Sequence, residues 1–203
     1  MKLFVATHNA HKIREISGIL LGVEVVPDDP EGVEESAPDF AGNALIKVRA
    51  IAARHRGDWC MADDSGLEVE ALGGAPGVHS ARYSEGDSCA SLTSGRETAS
   101  PLPTRTELNN AKLLRNLAGV ENRQARFTCC CALVDPSGRE YVVHGHCPGR
   151  IAEKASGVEG FGYDPLFVPD GYDRSFAELS ADEKNAISHR GRALAEVKKL
   201  FPS

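Results

Sequence analysis

Leu3-Phe4-Val5-Ala6, then Thr7-His8-Asn9-Ala10-His11-Lys12, then Ile13, Ile16, Leu20 and Leu21 at helical spacing: this opening stretch decides the fold class. Four unbroken apolar residues are strand-sized and mark a strand buried on both faces. A polar turn follows, and the chain re-enters as a helix whose apolar residues recur every three to four positions. Strand, turn and helix in that order make the repeating unit of an α/β protein.

The same alternation continues along the chain. Asp39 can cap a second helix with Ala44, Leu45, Val48, Ile51 and Ala52 on one face. Trp59-Cys60-Met61-Ala62 reads as a second buried strand that stops at Asp63-Asp64-Ser65-Gly66, after which Leu67, Val69 and Ala71 alternate with Glu68 and Glu70 as in a half-exposed strand. Residues 84–105 are rich in Ser, Thr, Gly and Pro and read as an exposed, partly mobile loop. A helix is expected over 107–117. A hairpin follows over 126–134 and 140–146, turning at Asp135-Pro136-Ser137-Gly138. A glycine-rich turn over 157–164 leads to a short strand at 166–168. Ser180 and Glu183 form a capping-box pattern ahead of one last helix reaching about Leu200. No internal repeat or linker interrupts the chain, so one α/β domain over 1–203 is expected.

Composition bounds the function. The chain has 203 residues, 41% hydrophobic and 26% charged, the mix of a globular protein able to bury a core without staples. No apolar run approaches the ~20 residues that span a bilayer, and Met1-Lys2 runs straight into a strand, so a cytoplasmic protein with no membrane partner is expected. Net charge is −6, which argues against a nucleic-acid binder but leaves room for a small anion in a local cationic pocket. Of six cysteines, Cys129, Cys130 and Cys131 are consecutive, which suits a buried strand in a reducing compartment.

Four motifs could carry chemistry. Thr7 to Lys12 runs from a buried strand into a helix start, where backbone N–H groups and the helix dipole suit phosphate and Lys12 adds a cation; an ordinary strand–helix turn is the alternative. Asp63 and Asp64 beside a buried strand are costly unless they meet a cation or donor. Adjacent strand residues face opposite ways, so only one of the pair enters a site, and hard oxygen ligands suggest Mg²⁺. The alternative is a capped turn. Phe161 and Asp164 in GFGYDP could stack on and hydrogen-bond a flat ligand, or the segment could be a tight turn with aromatic core residues. Lys184, His189 and Arg190 make a donor cluster on the last helix, or a solvated charged face. His144, His146 and Cys147 near Cys129 to Cys131 lack metal-ligand spacing, and small core cysteines are the simpler reading.

Taken in order, THNAHK, Phe40 with Asn43-Ala44 and Lys47, ADDSGLEVEALGGAPGVHSARY, GFGYDPLF and ELSADEKNAISHR resemble the inosine triphosphate pyrophosphatase family over nearly the whole chain. That resemblance implies a strongly twisted mixed β-sheet flanked by helices, two lobes around a nucleotide cleft, and a homodimer. It implies Mg²⁺-dependent hydrolysis of deaminated purine nucleoside triphosphates (ITP, dITP, XTP, dXTP) to the monophosphate and pyrophosphate, which clears such bases from the nucleotide pool. By motif, Thr7, His8, Asn9, Ala10, His11, Lys12 and Lys47 would hold the phosphates. Asp64 would be proton acceptor and metal ligand, with Glu35 the other metal acid and Ser65 touching substrate. Phe161, Gly162, Tyr163, Asp164, Lys184, His189 and Arg190 would form the base pocket. The chain departs from the family pattern at Gly42, where Glu often stands, at Cys147 in place of Trp, and at Glu159 in place of Gly.

Overall fold

The computed structural model describes residues 1–30, 32–87 and 102–202. Most of the expected 84–105 loop therefore lies outside the described residues. Among the described residues six strands form one mixed sheet: β1 (Lys2–Val5), β2 (Glu24–Pro27), β3 (Trp59–Val69), β4 (Gln124–Val134), β5 (Glu140–Ile151) and β6 (Phe167–Pro169), in the order β2-β1-β3-β4-β5-β6. β1 runs parallel to β2 and β3, with Leu3 opposite Val25 and Trp59, while β5 and β6 are antiparallel. The helices are α1 (Ala10–Ile19), α2 (Phe40–Ala52), α3 (Arg105–Asn116), α4 (Ala181–Ile187) and α5 (His189–Lys198).

The chain divides into two compact units. The first comprises 1–65, 128–146 and 181–203, and the second 66–127 and 147–180. In the first unit the strand alternation sorts side chains onto two layers. Leu3, Val5, Trp59, Met61, Cys129, Cys131 and Leu133 pack with Ile16 and Leu20 of the α1 region and Ala193, Leu194 and Val197 of α5. The intervening Cys60, Ala62, Ala132 and Val134 pack with Ala44, Val48 and Ile51 of α2. The expected cores of both helices are thus present, except that Leu21 lies beyond the end of α1 and is 74% exposed. In the second unit Phe127, Phe167 and Phe176 form an aromatic cluster with centroids 4.7 to 5.9 Å apart.

Four expectations about elements are corrected. β2 is a strand where none is expected, because four residues without a buried side chain leave no strong pattern. β3 does not stop at the acid pair but runs through it, since cations on three neighbouring elements neutralise Asp63 and Asp64 in place. β5 continues past His146 to Ile151, where it pairs with β6. The expected last helix is two helices, broken at Ser188, whose backbone is extended and whose hydroxyl accepts the Gly191 N–H at 3.0 Å.

Candidate active site

The site in the first unit starts where β1 ends. Thr7 Oγ1 accepts the Asn9 N–H at 3.1 Å, and Asn9, the N-cap of α1, accepts from His11 and Lys12 N–H at 2.9 and 3.3 Å. Asn9 therefore satisfies two amides that the sequence suggested were open to phosphate. What α1 offers an anion is its dipole and the side chain of Lys12. His8 pairs with Asp29 at 3.3 Å and His11 with Arg14 at 2.8 Å, both at the surface, and Ala10 opens the helix.

Asp63 and Asp64 leave β3 in different directions, as the strand alternation requires. Asp63, 1% exposed, receives Arg190 Nη2 at 2.9 Å and has Lys12 Nζ 3.0 Å from its other oxygen. Asp64, 8% exposed, receives Lys47 Nζ at 3.0 Å and Asn43 Nδ2 at 3.3 Å. Asn43 and Lys47 lie one turn apart on α2 and so share a face. Lys47 also lies 3.4 Å from Glu35, tying the two acids to one ammonium. Ser65 Oγ accepts from Arg190 Nη2 at 2.9 Å.

The break at Ser188 puts His189 and Arg190 at the start of α5, while Lys184 stays on α4. Gly145 of β5 permits this docking, because a β-carbon there would collide with the His189 carbonyl and the Ala193 backbone. Arg190 and Lys184, both buried, converge on Glu15 of α1, with Lys184 Nζ at 2.7 Å and the Arg190 Nη1–Glu15 bond short. The donor cluster read from the sequence is thus buried and bound to acids, not a solvated face. Sequence reasoning gave Glu15 and Asn43 no role. The signal for Glu15 was the need of buried Lys184 and Arg190 for a buried counter-charge.

These partners pull the two adjacent acids apart. Burial raises Asp63, but Lys12, Arg190 and Lys47 outweigh it and hold its carboxyl far below the usual range. Burial also raises Asp64, and there Lys47 and Lys12 do not fully offset it while Glu35 adds to the rise. Asp63 is a fixed anion, and Asp64 is the better proton acceptor. His189 is held neutral by burial and by its cationic neighbours Arg190 and Lys184.

Asp64 and Glu35, which share the Lys47 ammonium, are carboxylates that could hold a hard cation. Among the described residues no group of three or more His, Cys, Asp or Glu is arranged for a metal. Two carboxylates completed by phosphate oxygens and water would suit an octahedral oxygen-seeking ion.

In the second unit the GFGYDP segment is a turn. Asp164 accepts the Phe161 N–H at 2.8 Å, Asn110 Nδ2 donates to the Gly162 carbonyl at 3.1 Å, and the buried Tyr163 hydroxyl donates to the Ser80 carbonyl at 2.9 Å. Tyr163 and Asp164 are buried and bonded within this turn, and Phe161 is half-buried.

Residues 3–200 match the Ham1 family. This chain belongs to that family. The Ham1 relatives include a dITP/XTP pyrophosphatase of Exiguobacterium, 44% identical over 97% of this chain and 95% of its own length. Another dITP/XTP pyrophosphatase, of Mycobacteroides abscessus, is 46% identical over 97% of this chain and 93% of its own. The solved Ham1 protein of Staphylococcus aureus superposes with a TM-score of 0.78 at 34% identity, covering 98% of this chain and 97% of that one. The mixed sheet flanked by helices is therefore a Ham1 fold, in agreement with the resemblance read from the motifs.

Proposed function

We propose that this chain hydrolyses deaminated purine nucleoside triphosphates, ITP, dITP and XTP among them, to the monophosphate and pyrophosphate. The observation that carries the reading is the division of the acid pair: Asp63 is locked between Arg190 and Lys12, while Asp64 stands beside Lys47 and Glu35 at the more open position. The names of the Ham1 relatives support the substrate class.

Among the described residues four carboxylates (Glu15, Glu35, Asp63, Asp64) pair with four cations (Lys12, Lys47, Lys184, Arg190), so these paired charges match before substrate arrives. A triphosphate adds about four negative charges that must be neutralised before water can attack. Mg²⁺ held by Asp64 and Glu35 would offset two of those charges and draw electron density from the phosphate oxygens. Lys12 and Lys47 then orient the phosphates, with the start of α1 adding its dipole. Asp64 takes a proton from water as the water oxygen bonds to the α-phosphorus, and the bond to the pyrophosphate oxygen breaks.

In the same reading Phe161 to Asp164, Lys184, His189 and Arg190 serve the base, and the Arg190 guanidinium also holds Asp63, Glu15 and Ser65. Hypoxanthine and xanthine present a 6-oxo acceptor where adenine presents donors, and a buried mismatch costs about 1–3 kcal/mol. The whole chain acts as one pyrophosphatase domain, as a homodimer in the cytoplasm. Among the described residues no helix is long and apolar enough to cross a membrane. Pyrophosphate release from ITP, XTP, dUTP, GTP and ATP tests the proposal, and an enzyme that turns over ATP as fast as ITP contradicts it.

A further inference from the structure

Glu35 sits in residues 32–39, ahead of α2, a stretch with neither helix nor strand, yet its carboxylate meets Lys47 opposite Asp64. Two features of α2 hold that stretch. The Asn43 side chain, 2% exposed, accepts the Ala37 N–H at 3.0 Å through Oδ1 and donates to Asp64 Oδ2 at 3.3 Å through Nδ2. A carboxamide can do both at once, whereas ionised Asp only accepts and Ala does neither. Beside it, Gly42 has no side chain, and a β-carbon there would lie 2.5 Å from Ala37 Cβ, closer than two carbons can approach. Gly42 is also a position where the chain departs from the family pattern.

We propose that Gly42 and Asn43 form a seat for Ala37, and that Asn43 is a positioning residue joining the Glu35 stretch to Asp64. The links close a ring: Glu35 to Lys47, Lys47 to Asp64, Asp64 to Asn43, Asn43 to Ala37, and two residues of backbone to Glu35. The two acids thereby arrive as one preformed unit, with no ordering left to do when substrate binds. Gly42 is what this chain has in place of a bulkier residue so that Ala37 can lie directly on the helix. The inference rests on the proposed hydrolysis for its catalytic meaning, but the seat itself is testable without turnover.

The test compares Gly42→Ala, Asn43→Ala, Asn43→Asp and the double variant Gly42→Ala/Ala37→Gly, by amide exchange at Ala37 in the ligand-free protein, by Tm, and by kcat and KM on ITP. Gly42→Ala should keep or raise Tm, because alanine favours the helix, while Ala37 loses protection and kcat falls about tenfold to a hundredfold with KM little changed. Removing the Ala37 methyl in the double variant should restore both protection and kcat. Asn43→Ala should lose Ala37 protection, and Asn43→Asp, which keeps the acceptor but not the donor, should retain protection and lose kcat. Equal Ala37 exchange in the wild type and Asn43→Ala overturns the proposal, as does a double variant no better than Gly42→Ala. If the wild type releases no pyrophosphate from ITP, the functional reading fails, and the exchange data still decide the seat.

Discussion

Asp63 and Asp64 are neighbours in sequence with opposite duties, and substitution separates them. Asp64→Asn removes the proposed proton acceptor but leaves a neutral side chain of the same shape beside Lys47 and Asn43. Hydrolysis should fall about 10²–10⁴-fold, with ITP affinity within about one order of magnitude and Tm nearly unchanged. Asp63→Asn instead leaves Arg190 and Lys12 short of a buried counter-ion. Such a loss costs about 3–5 kcal/mol, or roughly 10 °C in Tm at this size, so thermal unfolding of the two variants should differ while both lose activity. The sequence made this pair legible, since two carboxylates next to a buried strand demand cations and alternation sends them opposite ways. Glu15 was not legible, because a lone acid on an amphipathic helix looks solvated until Lys184 and Arg190 are seen to converge on it.

The same residues set two pH dependences. Asp63 and Glu15 have folded pKa values below their unfolded ones. Each therefore contributes stability that is present above the unfolded value and is lost as pH falls through the folded one. Asp64 is shifted the other way and must be ionised to accept a proton. On lowering the pH, kcat/KM should decline at a pH above the ordinary aspartate range, while Tm still holds. A pH–rate profile set against Tm in the same buffers checks this, and coincident declines would mean that the rate is reporting unfolding.

Among the elements, the junction of α4 and α5 aims the most side chains for the least sequence signal. Apolar spacing runs through Ser188 almost without interruption, and a serine costs a helix interior little, so periodicity reads one helix. The structure spends Ser188 as the cap of α5, buried and bonded to Gly191 N–H, and this places Arg190 on Asp63 and Glu15. Ser188→Ala should cost about 1 kcal/mol and lower Tm by about 2–4 °C. KM for ITP should rise as His189 and Arg190 lose their fixed start, and Ser188→Asp, which retains a capping oxygen, should recover most of the Tm. β2 and the far end of β5 were illegible for a different reason. β2 is short and buries no side chain. The far end of β5, though Cys147 and Ile151 are buried, carries Pro148-Gly149, which reads as a strand's end. Both take their structure from pairing with neighbours that the local sequence does not contain.

At the scale of the molecule, the order of motifs carried more than any one of them. Each alone has an ordinary alternative, and Tyr163 and Asp164 do lie in a hydrogen-bonded turn of the second unit. In the first unit α1, α2, β3, α4 and α5 each deliver one or two charged groups to a single balanced cluster. A balanced cluster neither stores a large repulsion nor attracts anions strongly by itself, so triphosphate binding should depend on added divalent cation. The central claim is that water attacks the α-phosphorus of a deaminated purine triphosphate with Asp64 taking the proton. Hydrolysis of ITP in heavy-oxygen water, with mass analysis of both products, tests this most directly. One heavy oxygen is expected in the monophosphate and none in the pyrophosphate, with neither product above background for Asp64→Asn. Heavy oxygen in the pyrophosphate, or release of orthophosphate instead, would contradict that claim.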